Sequence, residues 1–189
     1  PFLAITDSLR SALKVKSSPV GREYVQRLMP SMAALAGLIA PGGKVWVDTH
    51  WRFFTLEEWG WRLVDAPGYP SYPHYFFRAF DPSGNLWVGT LKGVSRFDGA
   101  AWRYFSKTDG LPDEDCHSIA FSPNGDIWIG SESHVSRMRN GVVTSWKIPG
   151  LAYSLAVAPD GSIWTGITWY GIYRFDGSSW KCMSDRTEE

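Results

Sequence analysis

One seven-residue pattern recurs along this chain: DPSGNLW from Asp81 to Trp87, SPNGDIW from Ser122 to Trp128, APDGSIW from Ala158 to Trp164, and a worn copy, APGGKVW, from Ala40 to Trp46. The four tryptophans follow one another at intervals of 41, 41 and 36 residues. A self-similar period near ~40 residues, with a Trp-bearing strand behind a glycine turn, is the sequence form of β-propeller blades. A lone unit of this size cannot bury both of its faces, so the units must stack.

Each repeat reads as four short strands. In the third copy, His117 to Ser122 alternates into Ile119 and Phe121, and Pro123, Asn124 and Gly125 then break the strand. Asn before Gly supplies the positive φ of a tight hairpin turn, and the chain restarts at once with Asp126, Ile127, Trp128 and Ile129. Turns near Gly130 to Ser133 and at Asn140 and Gly141 then lead into His134 to Arg139 and Val142 to Ile148. The second copy gives strands at Phe76 to Phe80, Leu86 to Thr90, Gly93 to Phe97 and Trp102 to Phe105. The fourth gives Tyr153 to Ala158, Ile163 to Gly166, Gly171 to Phe175 and Trp180 to Met183.

The first copy is the weakest. Asp48 stands where Gly89, Gly130 and Gly166 stand, and the span from Arg52 to Val64 shows no clear third turn. The expected fold is all-β: a propeller or partial propeller of about four four-stranded blades over residues 35–75, 76–116, 117–151 and 152–189. Residues 1–34 lack the motif and form a separate N-terminal segment. It reads either as helical, with Thr6 or Asp7 capping a helix that carries Leu9 and Leu13 and a second helix over Pro19 to Leu28, or as a decayed blade edge.

Composition narrows the function classes. Apolar residues make up 44% of the 189, enough for a real core, and eleven tryptophans suit the stacked faces of packed sheets. Nineteen basic residues balance nineteen acidic ones, so no net positive field attracts nucleic acid or anionic lipid. The longest apolar stretch, Met32 to Ala40, is interrupted by Gly37 and falls far short of the ~20 residues of a membrane span. Cys116 and Cys182 stand far apart without neighbouring ligand pairs, which argues against a zinc cage or a disulfide framework. The chain begins at Pro1 without a secretory signal pattern and reads as a fragment or a processed piece.

The repeats resemble those of the two-component regulator propeller family. The second copy carries the resemblance through Gly84, Leu86, Trp87, Val88, Gly89 and Thr90, then Gly93, Arg96, Phe97, Asp98, Gly99, Trp102 and Tyr104, then Asp109, Gly110, Leu111 and Pro112. The fourth keeps Gly161, Ile163, Trp164, Gly166, Gly171, Ile172, Arg174, Phe175, Asp176, Gly177 and Trp180. The third keeps Gly125, Ile127, Trp128, Ile129, Gly130, Arg137 and Trp146. The resemblance implies a sensory propeller, periplasmic or extracellular, of the kind joined to a transmembrane segment and a histidine kinase. Four copies are few for such a family, which implies missing blades of a longer chain, an incomplete ring or pairing with another chain.

In a propeller the connections after the fourth strand and between the second and third strands emerge on one face. That face collects Trp51, Tyr72, His74, Tyr75, Asp113, Asp115, His117, Trp169 and Tyr170 as the candidate ligand-binding set. Aromatic faces beside carboxylates form a platform for a sugar or a cationic group, because C–H faces and cations stack on π systems while acids accept hydroxyl hydrogen bonds. Carbohydrate or another small ligand is the expected partner, with a protein partner as the alternative. The competing structural reading is that these tyrosine loops pack on their own scaffold. Trp46, Trp87, Trp128 and Trp164, recurring at one strand position, are expected to pack between blades.

No metal site is expected, because Asp113 to Asp115 with His117 matches no recognised cage and reads as a solvated loop. No nucleophile elbow, phosphate loop, zinc helix or dinucleotide turn occurs, so no cofactor is expected and a non-catalytic module is favoured. Two alternatives stand beside it. One is a propeller lyase or glycan-active enzyme drawing on His50, His74, His117 and His134 from several blades; the other is a protein-protein interaction scaffold.

Overall fold

The computed structural model describes residues 36–48, 52–68 and 75–184. The expected N-terminal helices, at Thr6 to Leu13 and Pro19 to Leu28, lie outside the described residues. The chain divides into two compact units, Pro1–Asp65 and Ala66–Glu189. The first holds one antiparallel sheet of β1 (Ala36–Ile39), β2 (Val45–Asp48), β3 (Phe53–Glu57) and β4 (Gly60–Leu63), in that order.

The second unit holds three such sheets. They are β5 (Tyr75–Phe80) to β8 (Trp102–Phe105) through β6 (Leu86–Thr90) and β7 (Gly93–Phe97); β9 (Cys116–Phe121) to β12 (Val142–Lys147) through β10 (Ile127–Ser131) and β11 (His134–Arg139); and β13 (Ala152–Val157) to β16 (Trp180–Cys182) through β14 (Ile163–Ile167) and β15 (Gly171–Phe175). All four are up-and-down meanders, and the architecture is a partial β-propeller of four blades.

The recurring pattern is a hairpin that locks itself. Gly84 and Gly125 both sit at φ +86, a left-handed conformation that glycine adopts without penalty. The residue opening the motif then bonds the tryptophan closing it: Trp87 Nε1 donates to Asp81 Oδ2 at 2.9 Å, and Trp128 Nε1 donates to Ser122 Oγ at 3.0 Å. Alanine opens the fourth copy, and Trp164 Nε1 instead donates to Ser162 Oγ at 2.8 Å. The register places an arginine opposite each of these tryptophans, at Arg96, Arg137 and Arg174. Their guanidinium carbons lie 6.0, 5.9 and 5.6 Å from the indole centroids. In β1–β4 the residue opposite Trp46 is Thr55, so that pairing is absent from the worn copy.

Within the second unit the blades join face to face. At each joint the leading face of one blade meets the trailing face of the blade that follows it in the sequence. Trp87, Val94 and Phe105 lead from β5–β8 onto Ile129, Met138, Ile119 and Phe121 of β9–β12. Trp128, Val135 and Trp146 lead from that blade onto Ile163, Ile167 and Phe175 of the next. At the second joint Trp128 stacks on Trp146 at 5.8 Å and meets Phe175 edge-on at 5.2 Å and Trp180 at 6.3 Å. Of the four tryptophans expected to pack between blades, Trp87 and Trp128 do so, whereas Trp164 is half-buried on the outer face of the last blade; each fully buried indole contributes roughly 4 to 6 kcal/mol of transfer free energy.

Two glycines set how closely the blades approach. A Cβ on Gly89 would lie 2.4 Å from the Cys116 carbonyl oxygen of the next inner strand; one on Gly130 would lie 2.8 Å from that of Ala152. The Ser118 hydroxyl closes the second joint by donating to the Ala152 carbonyl at 2.7 Å.

The first blade corrects one expectation. It does have a third turn, at Glu58 and Trp59, between Glu57 and its pairing partner Gly60. The signal escapes notice because neither loop residue is Asn, Asp or Gly; the glycine, at φ +128, falls just after the loop. Asp48, in the place of the joint glycines, is buried.

Gly130→Ala should lower the stability of the protein by about 1–3 kcal/mol in urea unfolding, because the added methyl meets backbone that is fixed by the next blade. Unchanged stability would contradict the close approach of β10 and β13.

Candidate functional site

In each blade of the second unit the first residue of the inner strand pairs with the last residue of the second strand: Tyr75 with Thr90, Cys116 with Ser131, Ala152 with Ile167. The connections that follow those second strands therefore leave from the same edge as the starts of the inner strands. This loop edge holds Asp113, Asp115, His117, Trp169 and Tyr170, and Tyr75 opens β5 there. Trp51, Tyr72 and His74 lie outside the described residues, as do His50 and Tyr69.

At the joint between the second and third blades, the His117 imidazole lies against the Phe76 ring, with centroids 3.9 Å apart and planes inclined at 33°. Both residues stand near the starts of neighbouring inner strands. Burial pushes the His117 imidazole below its ordinary value of 6.5, against the upward pull of the Asp115 and Glu132 carboxylates. The ring thus lies against an aromatic face and within the electrostatic reach of two acids.

Asp113 is placed differently. Its carboxylate accepts from Ser131 Oγ at 2.7 Å, from the Ser133 amide at 3.0 Å and from Ser133 Oγ at 3.0 Å, and His134 Nδ1 lies 3.1 Å away. Burial alone would raise the Asp113 pKa, yet these donors outweigh it and hold the carboxyl below its ordinary value. The group ties the inter-blade connection to the β10–β11 turn. Ser131 also donates to the His134 carbonyl at 2.9 Å, as Thr90 does to Gly93 in the preceding blade at 3.0 Å. The arrangement is no Ser-His-Asp relay, because Ser133 Oγ lies 2.9 Å from Nδ1, the same nitrogen that faces the acid.

Trp169 and Tyr170 form the β14–β15 turn. Trp169 adopts φ +68 and is 88% exposed, which turns its indole outward at the loop edge. The Tyr170 ring covers Gly150, where a Cβ would come within 3.0 Å of it. The structure thus gathers the described candidates in two places: Asp113, Asp115 and His117 at one blade joint, Trp169 and Tyr170 at the turn of the last blade. Sequence reasoning missed Phe76, Ser131 and the two-acid setting of His117, because each is defined by a partner from another strand.

A shallow depression in the first unit is lined by Lys44, Glu57, Trp59, Gly60, Trp61 and Arg62. Its acid is already engaged: Lys44 Nζ lies 2.8 Å from Glu57, with Thr55 at 2.8 Å and Arg62 at 3.2 Å. These donors bring the Glu57 pKa down to about 2. Among the described residues no cluster of three or more His, Cys, Asp or Glu has the arrangement of a metal site, and no helix is long and apolar enough to cross a membrane.

The His117 setting makes a prediction with a sign. Its folded pKa is depressed, so the unfolded chain takes up the proton first as pH falls below 6.5 and the folded state loses stability there. The His117 titration midpoint, followed by NMR, should lie below 6.5, and Asp115→Asn should move it lower still. A midpoint at or above 6.5 would contradict the burial described.

No protein-family model matches the chain, and no curated protein sequence matches it. Solved structures do match in fold. The extracellular domain of BT3049 from B. thetaiotaomicron, assigned as a hybrid two-component system, aligns at a TM-score of 0.62 and 19% identity over 75% of this chain and 21% of that one. The extracellular domain of BT4673 from the same organism, assigned as a one-component system, aligns at 0.60 and 16% identity over 74% and 20%. The gluconolactonase XC5397 from Xanthomonas campestris aligns at 0.52 and 15% identity over 75% and 58%. The chain spans about a fifth of the length of the two extracellular domains. Such likeness supports the repeat resemblance read from the residues, and the chain has the β-propeller fold of these extracellular domains.

Proposed function

We propose that the chain is a non-catalytic, ligand-binding sensory propeller module that works outside the cytoplasm and meets its ligand at the loop edge of the second unit. The observation that carries this reading is the chemistry of that edge: His117 lies against the Phe76 ring at 3.9 Å with its pKa pushed down by burial despite the Asp115 and Glu132 carboxylates, and the Trp169 indole is 88% exposed on the last blade. Flat π faces with nearby hydrogen-bond acceptors suit carbohydrate, whose C–H faces stack while its hydroxyls donate to acids. The fold shared with extracellular domains of two-component systems supports the location and the sensory role.

A second reading, a propeller enzyme, is favoured by two observations. His134 Nδ1 lies 3.1 Å from Asp113, the histidine-acid contact that such chemistry requires, and a gluconolactonase shares the fold. It ranks second because Ser131 and Ser133 already occupy that carboxylate.

A glycan-array screen of the chain should show binding, and Trp169→Ala combined with Tyr170→Ala should weaken it about tenfold or more, the loss of one or two stacking faces. Absence of binding, or binding unchanged in the double variant, would remove carbohydrate as the ligand.

A further inference from the structure

The three blades of the second unit repeat one irregularity. Where each inner strand begins, its pairing with the second strand slips by one residue. Tyr75 pairs with Thr90 and Phe77 with Gly89; Cys116 pairs with Ser131 and Ser118 with Gly130; Ala152 pairs with Ile167 and Ser154 with Gly166. The residue passed over is Phe76, His117 and Tyr153 in turn. A bulge of this kind adds one residue to a strand and re-aims a side chain, at the cost of a ladder pair. All three bulges place a ring-bearing residue at the loop edge.

The rings stand on neighbouring strands. Phe76 and His117 meet with centroids 3.9 Å apart, and Phe76 keeps 38% of its surface exposed. His117 and Tyr153 are each one residue from the hydrogen bond that joins their strands, from Ser118 Oγ to the Ala152 carbonyl at 2.7 Å. One ring per blade thus follows the row of inner strands across both joints.

The charges that reach this row are of one sign. The Asp115 and Glu132 carboxylates act on the His117 ring, and Asp113 and Asp115 act on the neighbouring Cys116 thiol. Asp113 is occupied by Ser131, Ser133 and His134. Among the described residues, Asp115 and Glu132 take part in no hydrogen bond or ion pair. Two uncommitted carboxylates beside π faces favour a ligand that brings a positive charge, because cations are drawn both to ring faces and to acids.

We propose that Phe76, His117 and Tyr153 form a stacking row and that Asp115 and Glu132 receive a protonated amine, so that the ligand of the loop edge is an amino sugar. The proposal rests on carbohydrate being the ligand of that edge and narrows its class. The C–H faces of the sugar lie on the rings, and its ammonium group donates to the two carboxylates.

Titration calorimetry with a chitosan oligomer, and with the same oligomer fully N-acetylated, tests the charge, because acetylation removes the ammonium and keeps the sugar. Below the pKa of the free amine, the chitosan oligomer should bind at least about tenfold more tightly than its acetylated form. The double variant Asp115→Asn, Glu132→Gln should erase that difference, and Tyr153→Ala should weaken both oligomers about tenfold. Equal affinity of the wild-type chain for the two oligomers, or binding of neither, overturns the inference, while a neutral glycan bound on the array would still uphold carbohydrate as the ligand. Binding unchanged in Tyr153→Ala overturns the row. If the double variant loses its circular dichroism spectrum, the comparison of the two oligomers on the wild-type chain decides alone.

Discussion

The Trp128 indole cannot be buried by its own blade. One side of it meets Trp146, Arg137 and the sheet that carries it, and the other is covered only when Phe175 and Trp180 arrive from the next blade. That incompleteness governs the second unit. The hairpin lock from Trp128 to Ser122 aims the indole, the arginine across the ladder lies near it, and Gly130 lets the neighbouring inner strand come close enough to finish the enclosure. Deleting any of these leaves the indole partly wet, so the motif recurs as a set rather than as single letters.

The loop edge follows from this packing. Because the sheets of the second unit are antiparallel meanders of equal strand number, the β8–β9 and β12–β13 connections return to the same edge, where side chains from neighbouring blades meet. His117 and Phe76 come together only because β5 and β9 are neighbours, and Asp113 bonds the β10–β11 turn across 18 to 21 positions of sequence. A site built this way rests on rigid strands and needs little rearrangement to present its faces.

Much of the fold was readable from the residues. Leu86–Thr90, Gly93–Phe97, Trp102–Phe105, His134–Arg139 and Gly171–Phe175 are strands where the turn chemistry places them, because Asn-Gly and Asp-Gly pairs mark the hairpins. The turn at Glu58 and Trp59 was hidden, since it uses no such pair. Less of the site was readable. Asp113 looks like a solvated acid in DGLPDED, yet three donors from a turn some twenty residues on surround it. Only the pairing of blades defines that environment, and local sequence carries no sign of it.

The central claim is that indoles are shared across blade joints. A double-mutant cycle of Trp128→Ala and Phe175→Ala, read by urea unfolding, tests it most directly. The two residues belong to different blades and meet edge-on at 5.2 Å, so a coupling energy of about 0.5–1.5 kcal/mol is expected. Additive effects, with no coupling beyond error, would contradict the account.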